Sequence, residues 1–244
     1  VDDAVFATTV SRHHMYGLPF SLLWPVVRGS PFYSDTIHYS QSLELLCQRF
    51  PLTLISSPVQ LDHLPDNLDW PLLRTGLRAI FSAGAPLPLR AAQLCRDRLV
   101  PAIEIYGSTE TGAAAWRDQT SDVHWQCLPG IAVAATADGG LRIQSPCLDG
   151  DGTLEVADRA EILSPQRFSL LGRADRIAKV GGKRISLVDV ENRLLSHPWV
   201  SAAKATLLDD RKGRIGAVVV LNGEGRAALI DRGRSTINRL LADH

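Results

Sequence analysis

Two stretches of the chain concentrate side chains able to do chemistry. The first is residues 103–112 (Ile-Glu-Ile-Tyr-Gly-Ser-Thr-Glu-Thr-Gly), where a short apolar run ends in an aromatic ring, a glycine, hydroxyls and a carboxylate. Loops at the carboxyl edge of a sheet are where α/β folds bind ligands. There Tyr106 can stack on a base, Thr109 can donate to a phosphate oxygen, and Glu110 can hold a hard cation such as magnesium. The same residues also fit a polar turn in which a Ser or Thr caps a following helix. The second stretch is residues 171–186, which gathers Arg173, Arg176, Lys179, Lys183 and Arg184 around the adjacent Gly181 and Gly182. Alone, it also fits a solvated turn. Generic signatures fail: 107–112 lacks the middle glycine of a dinucleotide loop, and Gly182-Lys183 is followed by Arg184 rather than Ser or Thr. The seven histidines show no zinc-ligand spacing.

Three textures of sequence would have to position these residues. Residues 1–118 alternate apolar runs (52–55, 77–81, 103–105) with helix-like segments. One helix is expected over 40–50, with Leu43, Leu46, Cys47 and Phe50 on its stripe; another is expected over 86–99, opened by prolines. This alternation predicts an α/β unit with a largely parallel sheet. Residues 119–172 carry short strands at 140–143, 154–156 and 168–171 separated by Asp/Gly/Pro turns, which predicts a small antiparallel, barrel-like β unit. From residue 173 a small α+β unit is expected. Its helix opens on a capping-box-like Ser186-Leu-Val-Asp189 with Val190, Leu194 and Leu195 as its stripe, and a hairpin (204–208 with 215–221) and a closing helix from about 226 follow.

Composition excludes other classes. The 244 residues are 45% hydrophobic and 21% charged, an ordinary globular balance. Twenty-six basic and 26 acidic side chains cancel, which argues against a nucleic-acid partner held by clustered positive charge. No apolar run is long enough for a membrane span. The four cysteines form no CxxC pair, which suits a reducing, cytoplasmic setting.

In order and spacing the two stretches, with three others, resemble the adenylate-forming superfamily of acyl- and aryl-CoA synthetases, peptide-synthetase adenylation domains and luciferases. Residues 11–18 (Ser-Arg-His-His-Met-Tyr-Gly-Leu) are similar to the family's acyl-pocket segment, and 81–88 (Phe-Ser-Ala-Gly-Ala-Pro-Leu-Pro) to its adenine loop. Tyr106-Gly-Ser-Thr-Glu110 reproduces the family's Tyr-Gly-x-Thr-Glu motif. Asp158 precedes Gly172-Arg173 by the family's interval, and the run from Gly172-Arg-Ala-Asp175 to Asp189-Val-Glu191 resembles the hinge and the start of a mobile C-terminal domain.

The resemblance implies roles residue by residue. Tyr106 would stack on adenine, with Gly84, Ala85 and Pro86 as the opposite wall and Gly107 and Ser108 completing the nucleotide loop. Asp158 and Arg173 would bind the ribose, Thr109 the α-phosphate, Glu110 the magnesium, and Arg184 phosphate charge. Asp175 would be the hinge; His14, Tyr16 and Gly17 would line the acyl pocket. The implied reaction is attack of a carboxylate on ATP to give an acyl-adenylate, then displacement of AMP by the thiol of CoA or of a carrier-protein phosphopantetheine.

Several departures qualify it. Thr-Gly-Asp reads Val156-Ala-Asp158, and neither the Ser/Thr/Gly-rich phosphate loop nor the adenylating C-terminal lysine is found. The expectation is therefore a portion of such an enzyme, inactive or nearly so by itself. Residues 4–34 hold no Asp or Glu to pair with an ammonium, which favours an aryl or fatty acid over an amino acid. Residues 110–117 and 183–187 resemble ligases of aryl-polyene and related pigment pathways, which load carrier proteins. The alternatives are a non-catalytic nucleotide-binding or carrier-docking module, and an amino-acid-activating domain.

Overall fold

The computed structural model describes residues 3–173, 177–180, 183–208, 214–235 and 239. In chain order the strands are β1 (Val5–Thr8), β2 (Phe32–Thr36), β3 (Leu52–Ser56), β4 (Leu77–Ser82), β5 (Ala102–Ser108), β6 (Gly112–Arg117), β7 (Trp125–Cys127), β8 (Ala132–Ala135), β9 (Gly140–Gln144), β10 (Thr153–Ser164), β11 (Arg167–Arg173), β12 (Ile177–Val180), β13 (Lys183–Ser186), β14 (Val200–Leu207) and β15 (Ile215–Leu221). The α-helices are α1 (Trp24–Arg28), α2 (Ser40–Cys47), α3 (Pro58–Asp62), α4 (Trp70–Gly76), α5 (Leu89–Arg98), α6 (Leu187–Leu195) and α7 (Gly223–Arg232), with a π-helical turn, Pro19–Leu23, leading into α1.

Eleven strands form one sheet in the order β2-β1-β3-β4-β5-β6-β7-β11-β10-β9-β8. From β2 to β5 neighbours run parallel; β5 then turns back into β6, and β6–β7, β7–β11 and β8–β9 are antiparallel. The architecture is thus mixed α/β around one large sheet. The central parallel strand β3 is buried along its whole length, which explains a run (52–55) that is apolar except for Thr53; β4 is largely apolar too, apart from the exposed Arg78. Leu54 and Ile80 face a core built with Leu43, Leu46, Leu73, Ala92 and Cys95 from the helices. Their neighbours Ile55 and Phe81 face the other way, onto Phe6, Tyr16, Phe20 and Trp24. A separate cluster, centred on Ala115, Trp125, Leu141, Ile143 and Phe168, lies under the antiparallel strands.

The chain divides into two compact units, residues 1–156 with 160–170, and residues 157–159 with 171–244. In the second unit β12 pairs with β13 and β14 with β15, both antiparallel. Ala178, Leu187 and Ala205 form a small core with Val180, Val190 and Ile215. Glu191 ties α6 to β14: its carboxylate accepts the Ala205 N–H at 2.7 Å and faces the Lys204 ammonium at 3.5 Å.

Four sequence expectations shift. Helix α5 begins at Leu89, after both prolines, because the residue before Pro88 is sterically pushed out of the helical region. Phe50, placed on the stripe of α2, lies past the helix end, just before Pro51, and is 46% exposed. Leu195, read as part of the α6 stripe, is 42% exposed in its last turn. Helix α7 starts at Gly223, where the Asn222 side chain accepts the Gly225 N–H at 2.9 Å. Ser186 caps α6 as expected, accepting the Asp189 N–H at 3.1 Å. Among the described residues no helix is long and apolar enough to cross a membrane.

Candidate functional site

Strands β4 and β5 are parallel neighbours, with Ser82 opposite Glu104, and a loop leaves the carboxyl end of each. Gly84, Ala85 and Pro86 are exposed in the first loop, and Gly84 has φ +93, a conformation that favours glycine. In the second loop Thr109 and Glu110 are exposed, and Tyr106, within β5, is half-buried.

No helix follows the Tyr-Gly-Ser-Thr-Glu segment, so the helix-capping alternative fails. The chain reverses in a tight hairpin, and the hydroxyls hold that reversal. The Ser108 N–H donates to Thr111 Oγ1 at 2.9 Å, and that hydroxyl donates to the Gly112 carbonyl at 2.9 Å. A Cβ on Gly107 would lie 1.9 Å from the Gly112 carbonyl oxygen, so no larger residue fits there without moving the hairpin. The Ser108 hydroxyl also holds the Glu110 carboxyl below its ordinary pKa, keeping it ionised and acceptor-only. Tyr106 leans on the second core, its ring 5.5 Å from Trp125 and 5.7 Å from Phe168.

A residue overlooked in the sequence joins the two loops. Glu104, 2% exposed, accepts the Leu87 N–H at 3.0 Å and is gripped by the Arg117 guanidinium at 2.7 and 3.2 Å. Arg117 in turn lies over the Trp125 ring, 4.5 Å from its centroid. The Leu87 carbonyl is held from the other side by Gln119 at 2.8 Å. A carboxylate between two isoleucines in an apolar strand was the only available signal; its partner is thirteen residues away and meets it only through the hairpin.

The acyl-pocket positions divide. His14 is exposed, and its Nδ1 accepts the Tyr16 N–H at 3.2 Å. Tyr16 is 4% exposed within the aromatic cluster, 5.0 Å from Phe20, and burial pushes its phenol pKa far up. Gly17 has a packing reason: a Cβ there would sit 2.0 Å from the Ser11 carbonyl oxygen. In the second unit, Asp158 is half-buried in the middle of β10 and Arg173 is exposed at the end of β11. Asp175 lies outside the described residues, and Arg184 is described only as part of β13. Among the described residues no three His, Cys, Asp or Glu side chains cluster as a metal centre.

Residues 1–138 match the family model described as AMP-binding enzyme. The chain is 31% identical over 235 residues to a 4-coumarate–CoA ligase of Cereibacter sphaeroides, covering 95% of this chain and 53% of that protein. It is 25% identical over 201 residues to a long-chain-fatty-acid–CoA ligase of Mycobacterium bovis, covering 73% of this chain and 33% of that one. In fold it is similar to O-succinylbenzoate coenzyme A synthetase of Bacillus subtilis in complex with AMP, with a TM-score of 0.76 at 20% identity over 96% of this chain and 55% of that one. ATP-bound MatB of Rhodopseudomonas palustris gives a TM-score of 0.76 at 20% identity over 91% and 51%. The chain thus spans about half the length of the 4-coumarate–CoA ligase it matches.

Proposed function

The chain belongs to the AMP-binding enzyme family, and on that premise we propose that it supplies the nucleotide-handling part of an ATP-dependent acid–thiol ligase. The observation that supports this reading is the parallel pairing of β4 with β5: the exposed Gly84-Ala-Pro86 segment follows the carboxyl end of β4, and Tyr106, Thr109 and Glu110 lie in and just after the carboxyl half of β5.

In this reading the adenine lies between the Gly84–Pro86 wall and the exposed part of the Tyr106 ring. The resemblance gives Asp158 and Arg173 the ribose. The Thr109 hydroxyl donates to an α-phosphate oxygen. Glu110, ionised and exposed, is a hard oxygen ligand. Magnesium is commonly held by one or two carboxylates together with substrate phosphates, so this single carboxylate fits that ion, which would neutralise phosphate charge. A carboxylate oxygen of the acid attacks the α-phosphorus and the bond to pyrophosphate breaks, giving the acyl-adenylate. A thiolate then attacks the acyl carbon and AMP leaves as the thioester forms. Negative charge grows on phosphate oxygens in the first step, and Arg184 is the cation assigned to answer it. The resemblance assigns Asp175 the part of the hinge between the two steps. His14 stands at the approach of the acyl group and thiol.

The acid is aryl or fatty acyl. Tyr16 is spent on core packing, residues 4–34 offer no carboxylate to pair with an ammonium, and the curated relatives carry the names of 4-coumarate, fatty-acid and 2-succinylbenzoate CoA ligases. The thiol is CoA, as in those names, or a carrier-protein phosphopantetheine, as the resemblance of 110–117 to pigment-pathway ligases supports. Thioester formation by the natural protein containing this chain is the test, run with benzoates, cinnamates, fatty acids and amino acids against CoA and a loaded carrier. Thioester from an aryl or fatty acid is expected. Products from amino acids alone would contradict the substrate class.

A further inference from the structure

A row of polar side chains crosses the sheet from β3 to β6, one per strand. Ser56 of β3 is opposite Ser82 of β4, Ser82 is opposite Glu104 of β5, and Glu104 is opposite Arg117 of β6. Ser56, Ser82 and Glu104 are 1%, 1% and 2% exposed. Buried polar groups in a sheet need partners, and a buried ion pair is not in general more stable than well-packed apolar residues in its place. Such a pair fixes geometry, because a bidentate guanidinium–carboxylate fork tolerates little rotation.

What it fixes can be traced atom by atom. One Glu104 oxygen takes the Arg117 Nε–H at 2.7 Å. The other takes the Leu87 N–H at 3.0 Å together with a second Arg117 N–H at 3.2 Å. The Leu87 amide directly follows Pro86, and Gln119 holds the carbonyl of the same residue at 2.8 Å. The far side of the fork rests on the Trp125 ring, which meets Tyr106. The loop after β4 and the aromatic ring at the end of β5 are therefore held to a common anchor.

We propose that Glu104, with Arg117, is a positioning residue for nucleotide binding: it sets the separation between the Gly84–Pro86 wall and Tyr106 without touching the ligand. This rests on the nucleotide reading of those two loops given above. Because the anchor is buried and does not touch the ligand, its loss removes none of the ligand-facing groups but lets the Gly84–Pro86 wall drift.

The test measures AMP binding and amide hydrogen exchange on the 244-residue chain, well below the unfolding midpoint of each variant. In E104A the affinity for AMP is expected to fall about tenfold or more, since a buried donor and a guanidinium lose their acceptor. Exchange should accelerate selectively in the segment 83–88. The paired substitution E104Q/R117Q keeps an amide oxygen for Leu87 without an unpaired charge, and should return affinity to within about threefold of the original. Should E104A fail to fold, E104Q/R117Q and R117K carry the comparison: R117K, which loses the fork and the stack on Trp125, should bind AMP more weakly than the amide pair. Folded E104A with unchanged affinity, or exchange that quickens evenly over the whole chain, would overturn the positioning role and leave the nucleotide reading standing; so would R117K binding AMP as tightly as the parent where E104A is unfolded. A folded parent chain that does not bind AMP would instead remove the nucleotide reading itself.

Discussion

Glu104 and Arg117 sit directly opposite each other across the β5–β6 hairpin, joined by two hydrogen bonds, with side chains only 3% and 18% exposed. Removing one member strands the other's charge in the interior. R117A should therefore lower the stability of the first unit by about 3–5 kcal/mol, whereas E104Q/R117Q should lower it by much less. Urea unfolding of the parent and variants followed by tryptophan emission checks this, and equal losses in the two variants would contradict it.

The glycine after Tyr106 is set by sterics. Its backbone passes so close to Gly112 that any Cβ meets a carbonyl oxygen at 1.9 Å. G107A is expected to cost about 1–3 kcal/mol by forcing the hairpin apart. A thermal melt reads the loss, and an unchanged midpoint would show that the hairpin relaxes freely.

Thiol chemistry separates the four cysteines. Cys95 is fully buried and its pKa is pushed up to about 12; burial raises Cys47 and Cys127 to about 11. Cys147 is the exposed one. At pH 8 an aromatic disulfide reagent should label one thiol per folded chain within minutes and the remaining three only after denaturation, because thiolate and access are both required. Rapid labelling of two or more would contradict the packing of the helical layer and the second core.

Acid should weaken the first unit through Asp62. Its carboxyl is held below the ordinary range by hydrogen bonds from the Arg90 guanidinium at 2.7 and 2.5 Å, which clip α3 to α5. A depressed folded-state pKa gives stability that is complete above the unfolded value of about 3.9 and is lost as pH falls through the folded value. Arg90 is largely solvent-exposed, so the pair contributes at most about 1 kcal/mol. Urea midpoints from pH 6 to pH 2.5 should therefore fall less steeply in D62N than in the parent.

Much of the parallel half was legible because burial leaves predominantly apolar runs. Residues 52–55, interrupted only by Thr53, and 77–81, interrupted only by the exposed Arg78, are such runs, and both are strands. The antiparallel continuation was harder to read. Strand β6 is glycine and alanine up to Trp116, and its partner is chosen by the turn at 109–111 rather than by any pattern of its own. Glu104 escaped notice for a related reason: a carboxylate between Ile103 and Ile105 reads as simple alternation, and only the hairpin brings Arg117 to it. Tyr16, which the resemblance assigns to the acyl pocket, is buried in an aromatic cluster with Phe6, Phe20 and Trp24 that only the fold brings together. Type and spacing located the loops around Gly84 and Tyr106; the backbone contacts that lock them depend on register.

ATP–pyrophosphate exchange by the natural protein that contains this chain, measured across aryl, fatty and amino acids, tests the adenylating role most directly. Exchange should appear only with an acid present, be strongest for aryl or fatty acids, and fall by about two orders of magnitude or more in E110A, which removes the carboxylate assigned to the metal. A folded protein giving no acid-dependent exchange with any member of the panel, or one indifferent to E110A, would contradict it.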